Sequence, residues 1–338
     1  MSLKKYAVAI VGITGAVGQI MLKLLAERNF PIKTLLPLAS YRSAGKTIQF
    51  KDQLLTIKEA RPESFTGVDL AFFSAGTSVS RQLAPEAARR GALVIDNSNA
   101  FRMDTNVPLI VPEVNPECIR DHQGVIANPN CSTIQLLVAL KPLHDYAKIK
   151  RIVVSTYQAV SGTGVAAIEE LKEQSRQLLD NKKAQPSVYP HQIAFNVLPH
   201  IDVFDDTGSS LEELKMVRET KKVLDDQINV TATCVRVPVV YGHSEAVNVE
   251  TERELAPENA RTILASAPGI AVIDEPVKLG YPLPILAAGR DEVFVGRIRK
   301  DSSVLHGINL WIVADNLRKG AALNAVQIAE LAKQDGLV

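Results

Sequence analysis

The stretch "YAVAIVGITGAVG", residues 6–18, most constrains how this chain can fold. An apolar run leads into glycines spaced three apart, Gly12, Gly15 and Gly18, and the amphipathic segment "MLKLLAERNF" follows. This order predicts a strand, a tight turn and a helix whose free N–H groups can bind a pyrophosphate. The alternative is an ordinary glycine-rich turn between a strand and a helix.

The rest of the chain continues this organisation and then changes it. Up to residue 130, apolar runs alternate with helical patterns, which predicts a parallel sheet covered by helices. After residue 150, long Val- and Thr-rich runs and amphipathic helices predict a mixed sheet. We expect the α/β class, with a Rossmann-type domain over residues 1–130, a second α/β domain over 131–315, and a C-terminal helix at 316–338 that joins the first. The runs on either side of Gly242-His243 are predicted to form an antiparallel hairpin.

Charge and cysteine content exclude several functional classes. The formal net charge is +1, which does not favour nucleic acid as a partner. Three cysteines without a CxxC motif argue against disulfides and bound metal, and they fit a reducing cytoplasm. No apolar run is long enough to span a membrane, and we interpret the N-terminal segment as strand and turn rather than an export signal.

The segment after the second predicted strand indicates which nucleotide is bound. NAD sites usually carry a carboxylate there, whereas "LASYRSAGK" contains Ser40, Arg42, Ser43 and Lys46. Hydroxyls and a guanidinium suit the 2′-phosphate of NADP. An ordinary solvated surface loop would also account for these residues.

The segment "IANPNCST" makes Cys131 a candidate nucleophile. Asn130 is a favourable N-cap residue type, so Cys131 is predicted to be the first residue of a helix. The helix dipole would lower the pKa of its thiol and favour the thiolate. A small buried side chain is the alternative, and we expect Cys118 and Cys234 to be structural.

A basic pair in "CVRVPVVYGHSE" could assist such a nucleophile. Arg236 is a cation in an apolar strand, and a bend at Gly242 could bring His243 over it. A buried arginine needs an anion, either from the protein or from a substrate. Two alternative interpretations remain open: Arg236 could form a structural salt bridge, and His243 could simply be a residue of the turn.

Further candidates lie at strand ends, where α/β folds bind ligands. Arg102 follows the strand "ALVIDNSN", and Gln158 ends the strand "RIVVSTYQAV". The loop after Gln158, residues 161–164, could approach a cofactor or an anion, or simply connect strand and helix.

Together these segments resemble the aspartate-β-semialdehyde dehydrogenase family. The resemblance rests on segments in the family's order, from near Gly12 to Asn324: "GITGAVG", "SYRSAGK", "FFSAG", "DNSNAFRM", "ANPNCST", "YQAVSGTG", "EELKMVRETKK", "VRVPVVYGHSEAV" and "ADNLRKGAALNAVQ". It implies reductive dephosphorylation of L-4-aspartyl phosphate by NADPH to L-aspartate 4-semialdehyde, in lysine, diaminopimelate, methionine and threonine biosynthesis. Residues 131–315 would then be the catalytic and dimerisation domain of a cytoplasmic homodimer or homotetramer.

The resemblance also implies residue roles. Cys131 would form the thioester, Gln158 would orient the substrate carbonyl, and His243 would be the general acid/base, a role for which an imidazole pKa near neutrality is suited. Arg236 would bind the substrate α-carboxylate and Glu212 its ammonium group. The residues expected around the phosphate are Arg102, Asn130 and Lys215. Those expected to contact NADP(H), with Gly12 and Ser40 of the motifs above, are Thr14, Gly15, Ala16, Val17, Arg42, Ser43, Ser161, Gly162 and Asn316.

Three other functions predict different features. An extended short-chain reductase needs Tyr-x-x-x-Lys on a helix, but Tyr146 and Lys150 stand where a helix should end. An N-acetyl-glutamyl-phosphate reductase would share the thioester chemistry without needing a group for a free ammonium. A redox- or NADP-sensing binding protein that has lost catalysis would not require the combination of Cys131, Gln158, Arg236 and His243.

Overall fold

The structure is a computed structural model that describes residues 4–338. Its strands are β1 (Tyr6–Val11), β2 (Ile32–Ala39), β3 (Thr47–Phe50), β4 (Gln53–Thr56), β5 (Lys58–Glu59), β6 (Leu70–Phe73), β7 (Leu93–Asp96), β8 (Val125–Ala127), β9 (Ile149–Ala159), β10 (Asn229–Val237), β11 (His243–Thr251), β12 (Ile270–Val272), β13 (Val293–Asp301) and β14 (Gly307–Ala314). Its α-helices are α1 (Ala16–Glu27), α2 (Thr77–Arg89), α3 (Cys131–Ala147), α4 (Val165–Leu179), α5 (Leu211–Val223), α6 (Pro257–Ser266), α7 (Pro284–Ala287) and α8 (Leu323–Gln334).

The chain divides into two compact units. The first comprises the described residues up to Asn130 together with Ala321–Val338, and the second comprises Cys131–Gly320. Among residues 4–338, no helix combines the length and the apolar character needed to cross a membrane.

The first unit is built on a six-stranded sheet in the order β5-β2-β1-β6-β7-β8. All its neighbouring strands pair in parallel, which confirms the predicted Rossmann-type sheet. Strand β1 lies in the middle, with β2 on one side and β6 on the other. The strand order reverses at this point, and the crevice at the carboxyl ends of such strands is where α/β sheets bind ligands.

Helix α1 packs on this sheet because its apolar residues recur at helical spacing. Met21, Leu24 and Leu25 are fully buried, and burying each contributes roughly 1.5–3 kcal/mol relative to exposure. The same core cluster contains Val326 and Ile328 of α8. The last helix of the chain is therefore part of the core of the first unit.

The second unit has a six-stranded mixed sheet in the order β10-β9-β11-β14-β13-β12. The predicted hairpin between β10 and β11 is wrong, because β9 lies between them and pairs parallel with β10 and antiparallel with β11. The alternation in the sequence indicated two strands of opposite direction. It could not show that an earlier strand occupies the position between them.

This register places several polar residues on one sheet face. Arg236 pairs with Gln158, while Cys234 and Glu245 both pair with Thr156. Because side chains two residues apart on a strand share a face, and paired residues share it too, these side chains point to the same side. Helix α3 packs against β11 and α5 against β10.

Candidate active site

A pocket of about 460 Å³ lies at the strand order reversal of the first unit. Gly12, Thr14, Gly15 and Ser40, all expected at the cofactor, line it. Sequence reasoning missed a second set of lining residues that includes Glu59, Ser74, Ala75, Val79 and Gln82. They come from β5, the end of β6 and helix α2, which only the sheet order brings next to β1.

Two glycines of the motif are required by close backbone contacts. Gly12 has φ +87, and a Cβ there would lie 2.4 Å from the Ser74 carbonyl oxygen. A Cβ on Gly18 would lie 2.4 Å from the Gly12 carbonyl oxygen. Helix α1 then begins at Ala16, followed by Val17, without a side-chain cap, so its first N–H groups can bind a phosphate.

The segment predicted to read the 2′-phosphate lies on the surface beside this pocket. Arg42 is exposed, its Nε donates to the Tyr41 hydroxyl at 3.3 Å, and Ser43 follows in the same turn. A carboxylate that the sequence did not reveal, Glu59, lines the pocket because β5 pairs with β2. Arg61 holds that carboxylate in an ion pair of 2.6 Å, which offsets its charge.

Arg102 is held on the first unit by backbone carbonyls. Its Nε donates to the Asn128 carbonyl and its Nη2 to the Asn97 carbonyl, both at 2.9 Å. The Asn128 side chain donates in turn to Asn97 and accepts from Asn324. This network orders the chain just before Asn130.

Cys131 is the first residue of α3, which confirms the predicted helix start, and it is half-buried. The π-helical segment Arg318–Ala322 passes close to it, since a Cβ on Gly320 would lie 2.9 Å from the Cys131 Cβ. π-Helical turns are rare and often occur at functional sites. Gly320 had no signal in the sequence beyond its residue type.

His243 is fully buried, and its hydrogen bonding defines its tautomer. The Ala159 N–H donates to Nδ1 at 3.0 Å, so the neutral ring carries its proton on Nε2. Within residues 4–338, Nε2 has no hydrogen-bond partner. Burial, and then the charge of Arg236, hold the pKa of His243 well below its usual value. The expectation of a pKa near neutrality is therefore wrong.

Arg236 and His243 lie together, as the bend at Gly242 predicted. The Arg236 Nη1 donates to the Ala159 carbonyl at 2.7 Å, so one residue positions both side chains. A Cβ on Gly162 would lie 3.2 Å from the Arg236 Nη1 and 3.4 Å from the His243 Nε2. The loop predicted to approach a ligand thus borders both groups. Arg236 Nε is buried and lacks a partner in the described part of the chain, leaving a donor for an anion.

Gln158, Glu212 and Lys215 form a second cluster in the same unit. Gln158 Nε2 donates to Glu212 Oε1 at 3.2 Å, and Lys215 Nζ contacts Glu212 Oε2 at 3.2 Å and Asp202 Oδ2 at 2.8 Å. Burial lowers the pKa of Lys215, but the two carboxylates outweigh it and raise that pKa above its usual value. Lys215 is therefore a cation held between two anions.

Asn316 and Ser161 support the turn that precedes His243. Asn316 Oδ1 accepts from the Gly242 N–H, and its Nδ2 donates to Ser161 Oγ, both at 2.9 Å. Both residues were expected at the cofactor, and both are buried. No group of His, Cys, Asp and Glu side chains within residues 4–338 could hold a metal ion.

Comparisons with known proteins agree with this geometry. Residues 7–122 match the family described as semialdehyde dehydrogenase, NAD binding domain, and residues 140–319 match semialdehyde dehydrogenase, dimerisation domain. The chain is 58% identical to the aspartate-semialdehyde dehydrogenase of Aquifex aeolicus, over 98% of this chain and 99% of that protein.

Two crystal structures extend the comparison. Aspartate semialdehyde dehydrogenase II from Vibrio cholerae, complexed with ASA, is 49% identical with a TM-score of 0.96, and covers 98% of this chain and 99% of its own. The Candida albicans enzyme with NADP is 28% identical with a TM-score of 0.77, and covers 99% of this chain and 100% of its own. This chain therefore belongs to the aspartate-semialdehyde dehydrogenase family of oxidoreductases.

Proposed function

We propose that this enzyme reduces L-4-aspartyl phosphate to L-aspartate 4-semialdehyde with NADPH, through a thioester on Cys131. The observation that carries the proposal is the grouping of Gln158, Arg236 and His243 on one sheet face of the unit that Cys131 begins. The reaction supplies the aspartate-derived pathway to lysine, diaminopimelate, methionine and threonine.

The first half of the reaction transfers the acyl group to the protein. The Cys131 thiolate, favoured by the dipole at the start of α3, attacks the acyl carbon and the bond to phosphate breaks. The leaving phosphate takes up one proton from solvent. Arg102, Asn130 and Lys215 are proposed to bind this phosphate, and their cations would offset its developing charge.

The second half reduces the thioester. NADPH, when bound, supplies the hydride. The tetrahedral oxyanion then collapses, the C–S bond breaks, and the aldehyde and the Cys131 thiolate are released. No proton is required in this half, so His243 can act as a hydrogen-bond donor through Nε2–H to the oxyanion, without titrating. Gln158 is proposed to orient the same carbonyl.

Opposite charges are proposed to bind the two ends of the amino acid. The unpartnered Nε of Arg236 suits the α-carboxylate. Glu212, already linked to Gln158, suits the ammonium group. Lys215 would balance the charge of Glu212 as well as approach the phosphate.

We assign NADP(H) to the first unit, because its pocket combines a glycine turn, a free helix start and the segment with Ser40, Arg42 and Ser43. Thr14, Gly15, Ala16 and Val17 would contact the phosphates, and the resemblance to the family also implies cofactor contacts for Ser161, Gly162 and Asn316. The second unit would carry catalysis and form the interface of a homodimer or homotetramer, and the enzyme would work in the cytoplasm.

The decisive assay follows NADPH formation from aspartate semialdehyde, NADP and phosphate. We expect turnover by the wild type and none above background by Cys131→Ala. N-acetylglutamate semialdehyde serves as the control substrate, and we expect it to be a poor substrate because it has no free ammonium for Glu212. An inactive wild type, or full activity of the alanine variant, would contradict the proposal.

A further inference from the structure

Glu245 is a buried carboxyl that the proposed mechanism does not use. It is the third residue of β11, it is 0% exposed, and neither carboxyl oxygen has a hydrogen-bond partner among residues 4–338. Its paired neighbours in the sheet, Thr156 on β9 and Ile312 on β14, carry no charge. Beyond Thr156, the Cys234 thiol of β10 faces the same side, and burial raises the pKa of that thiol.

Besides Thr156, a polar neighbour of this carboxyl is the side chain of Gln135 on α3. Gln135 Nε2 donates to the main-chain carbonyl of His243 at 3.3 Å, whereas its Oε1 is buried without a partner in the described chain. Gln135 stands four residues after Cys131, so the two side chains lie on one face of the helix. The amide therefore connects the helix of the nucleophile to the strand of His243.

One explanation accounts for both the unpartnered carboxyl oxygens of Glu245 and the unpartnered Oε1 of Gln135. An ionised carboxylate enclosed without a donor or a cation is very costly, and such a group keeps its proton instead. Burial holds the pKa of Glu245 well above its usual value, and the contact with Gln135 offsets only part of that rise. A protonated carboxyl has one O–H donor, which matches the unpartnered Gln135 Oε1.

We propose that Glu245 is a neutral carboxylic acid and a positioning residue, whose O–H donates to Gln135 Oε1 so that Gln135 holds the main chain of His243. Glu245 touches no substrate and acts through Gln135. Its part in catalysis rests on the proposed function of His243, whereas its protonation does not.

The first test measures protonation without measuring activity. Wild type and Glu245→Gln are unfolded by urea at one protein concentration and several pH values. Free glutamate has a pKa of about 4.3, so above that pH the unfolded wild type releases a proton that the folded state keeps. The unfolding constant of the wild type should therefore rise with pH relative to that of Glu245→Gln, by up to about tenfold per pH unit, from about pH 5 until the pH reaches the raised pKa of the folded state. A constant ratio, or a glutamine variant that does not fold, would overturn the proposal.

The second test separates positioning from a merely structural role. Glu245→Gln supplies a neutral N–H donor of similar shape, and we expect kcat within about twofold of the wild type. Glu245→Leu removes the donor, and we expect kcat to fall at least about tenfold, which corresponds to an increase of about 1.4 kcal/mol in the activation free energy. KM and the affinity for NADP should change little. Equal losses in both variants, or none in either, would overturn the positioning role.

A double variant links the effect to the amide. If Glu245 acts through Gln135, then Gln135→Leu combined with Glu245→Leu should lower kcat no further than one change alone. Multiplied losses would refute the link. An inactive wild type would refute the proposed function instead, and the unfolding experiment would still decide whether Glu245 is protonated.

Discussion

The tautomer of His243 leads to a pair of substitutions with opposite expected effects. The two ring nitrogens have separate contacts: Nδ1 accepts from the Ala159 N–H, and Nε2 offers a free donor. Asparagine places an oxygen where Nδ1 stands but has nothing at the Nε2 position. Glutamine reaches the Nε2 position with an N–H but leaves the Nδ1 position without an acceptor.

The expected magnitudes follow from these contacts. His243→Asn keeps the partner of the Ala159 N–H and loses the donor to the oxyanion, which should lower kcat by about 10²–10³. His243→Gln keeps a donor, so kcat should stay well above that of the asparagine variant. The glutamine variant leaves the buried N–H of Ala159 without an acceptor, so the free energy of unfolding of this variant should fall by about 1–3 kcal/mol.

The assay measures kcat for NADPH formation at saturating substrate, together with urea unfolding of each variant under the same conditions. The prediction is that activity and stability rank the two variants in opposite order. If the glutamine variant is as slow as the asparagine variant, the ring must transfer a proton, and a donor role without titration would be refuted. If the asparagine variant is the less stable, the assigned tautomer would be wrong.

Three further predictions use other contacts. Arg236→Lys should lower kcat/KM by about 10–100-fold, because a hydrogen bond to a charged group contributes about 1.5–3 kcal/mol and lysine cannot bind a carboxylate in bidentate fashion. An unchanged kcat/KM would show that Arg236 does not bind the substrate. Arg42→Ala should raise the dissociation constant of NADP about tenfold while leaving that of NAD nearly unchanged, as measured by calorimetry. Equal changes in both dissociation constants would exclude a contact of Arg42 with the 2′-phosphate. Gly12→Ala should lower the unfolding temperature, because its φ of +87 and the Ser74 carbonyl both oppose a side chain, whereas Gly15→Ala is the tolerated control.

Some features could be predicted because they depend on neighbours in sequence. The glycine turn, the helix that follows it and the start of α3 at Cys131 all arise from local backbone preferences. The proximity of Arg236 and His243 was also predictable, since only a short bend separates them. The predicted parallel sheet followed from the alternation of strands and helices.

Other features depended on contacts between distant segments, and the sequence could not reveal them. The position of β9 between β10 and β11 overturned the predicted hairpin. Glu59 and Ser74 reach the nucleotide pocket only through the order of the strands. Gln135 and Glu245 stand in no distinctive sequence pattern, because the sequence does not show whether a given glutamate is buried or exposed.

The sequence by itself indicated the type of chemistry: a cysteine at a helix start, a histidine and an arginine close to each other, and a turn for a dinucleotide. The tertiary structure alone decided the protonation of the histidine. Ala159, placed by pairing between strands, donates to His243 and selects its tautomer, while enclosure beside Arg236 keeps the ring neutral. Protonation depends on solvent exclusion and on charges within a few ångströms, and both exist only after distant segments have packed together.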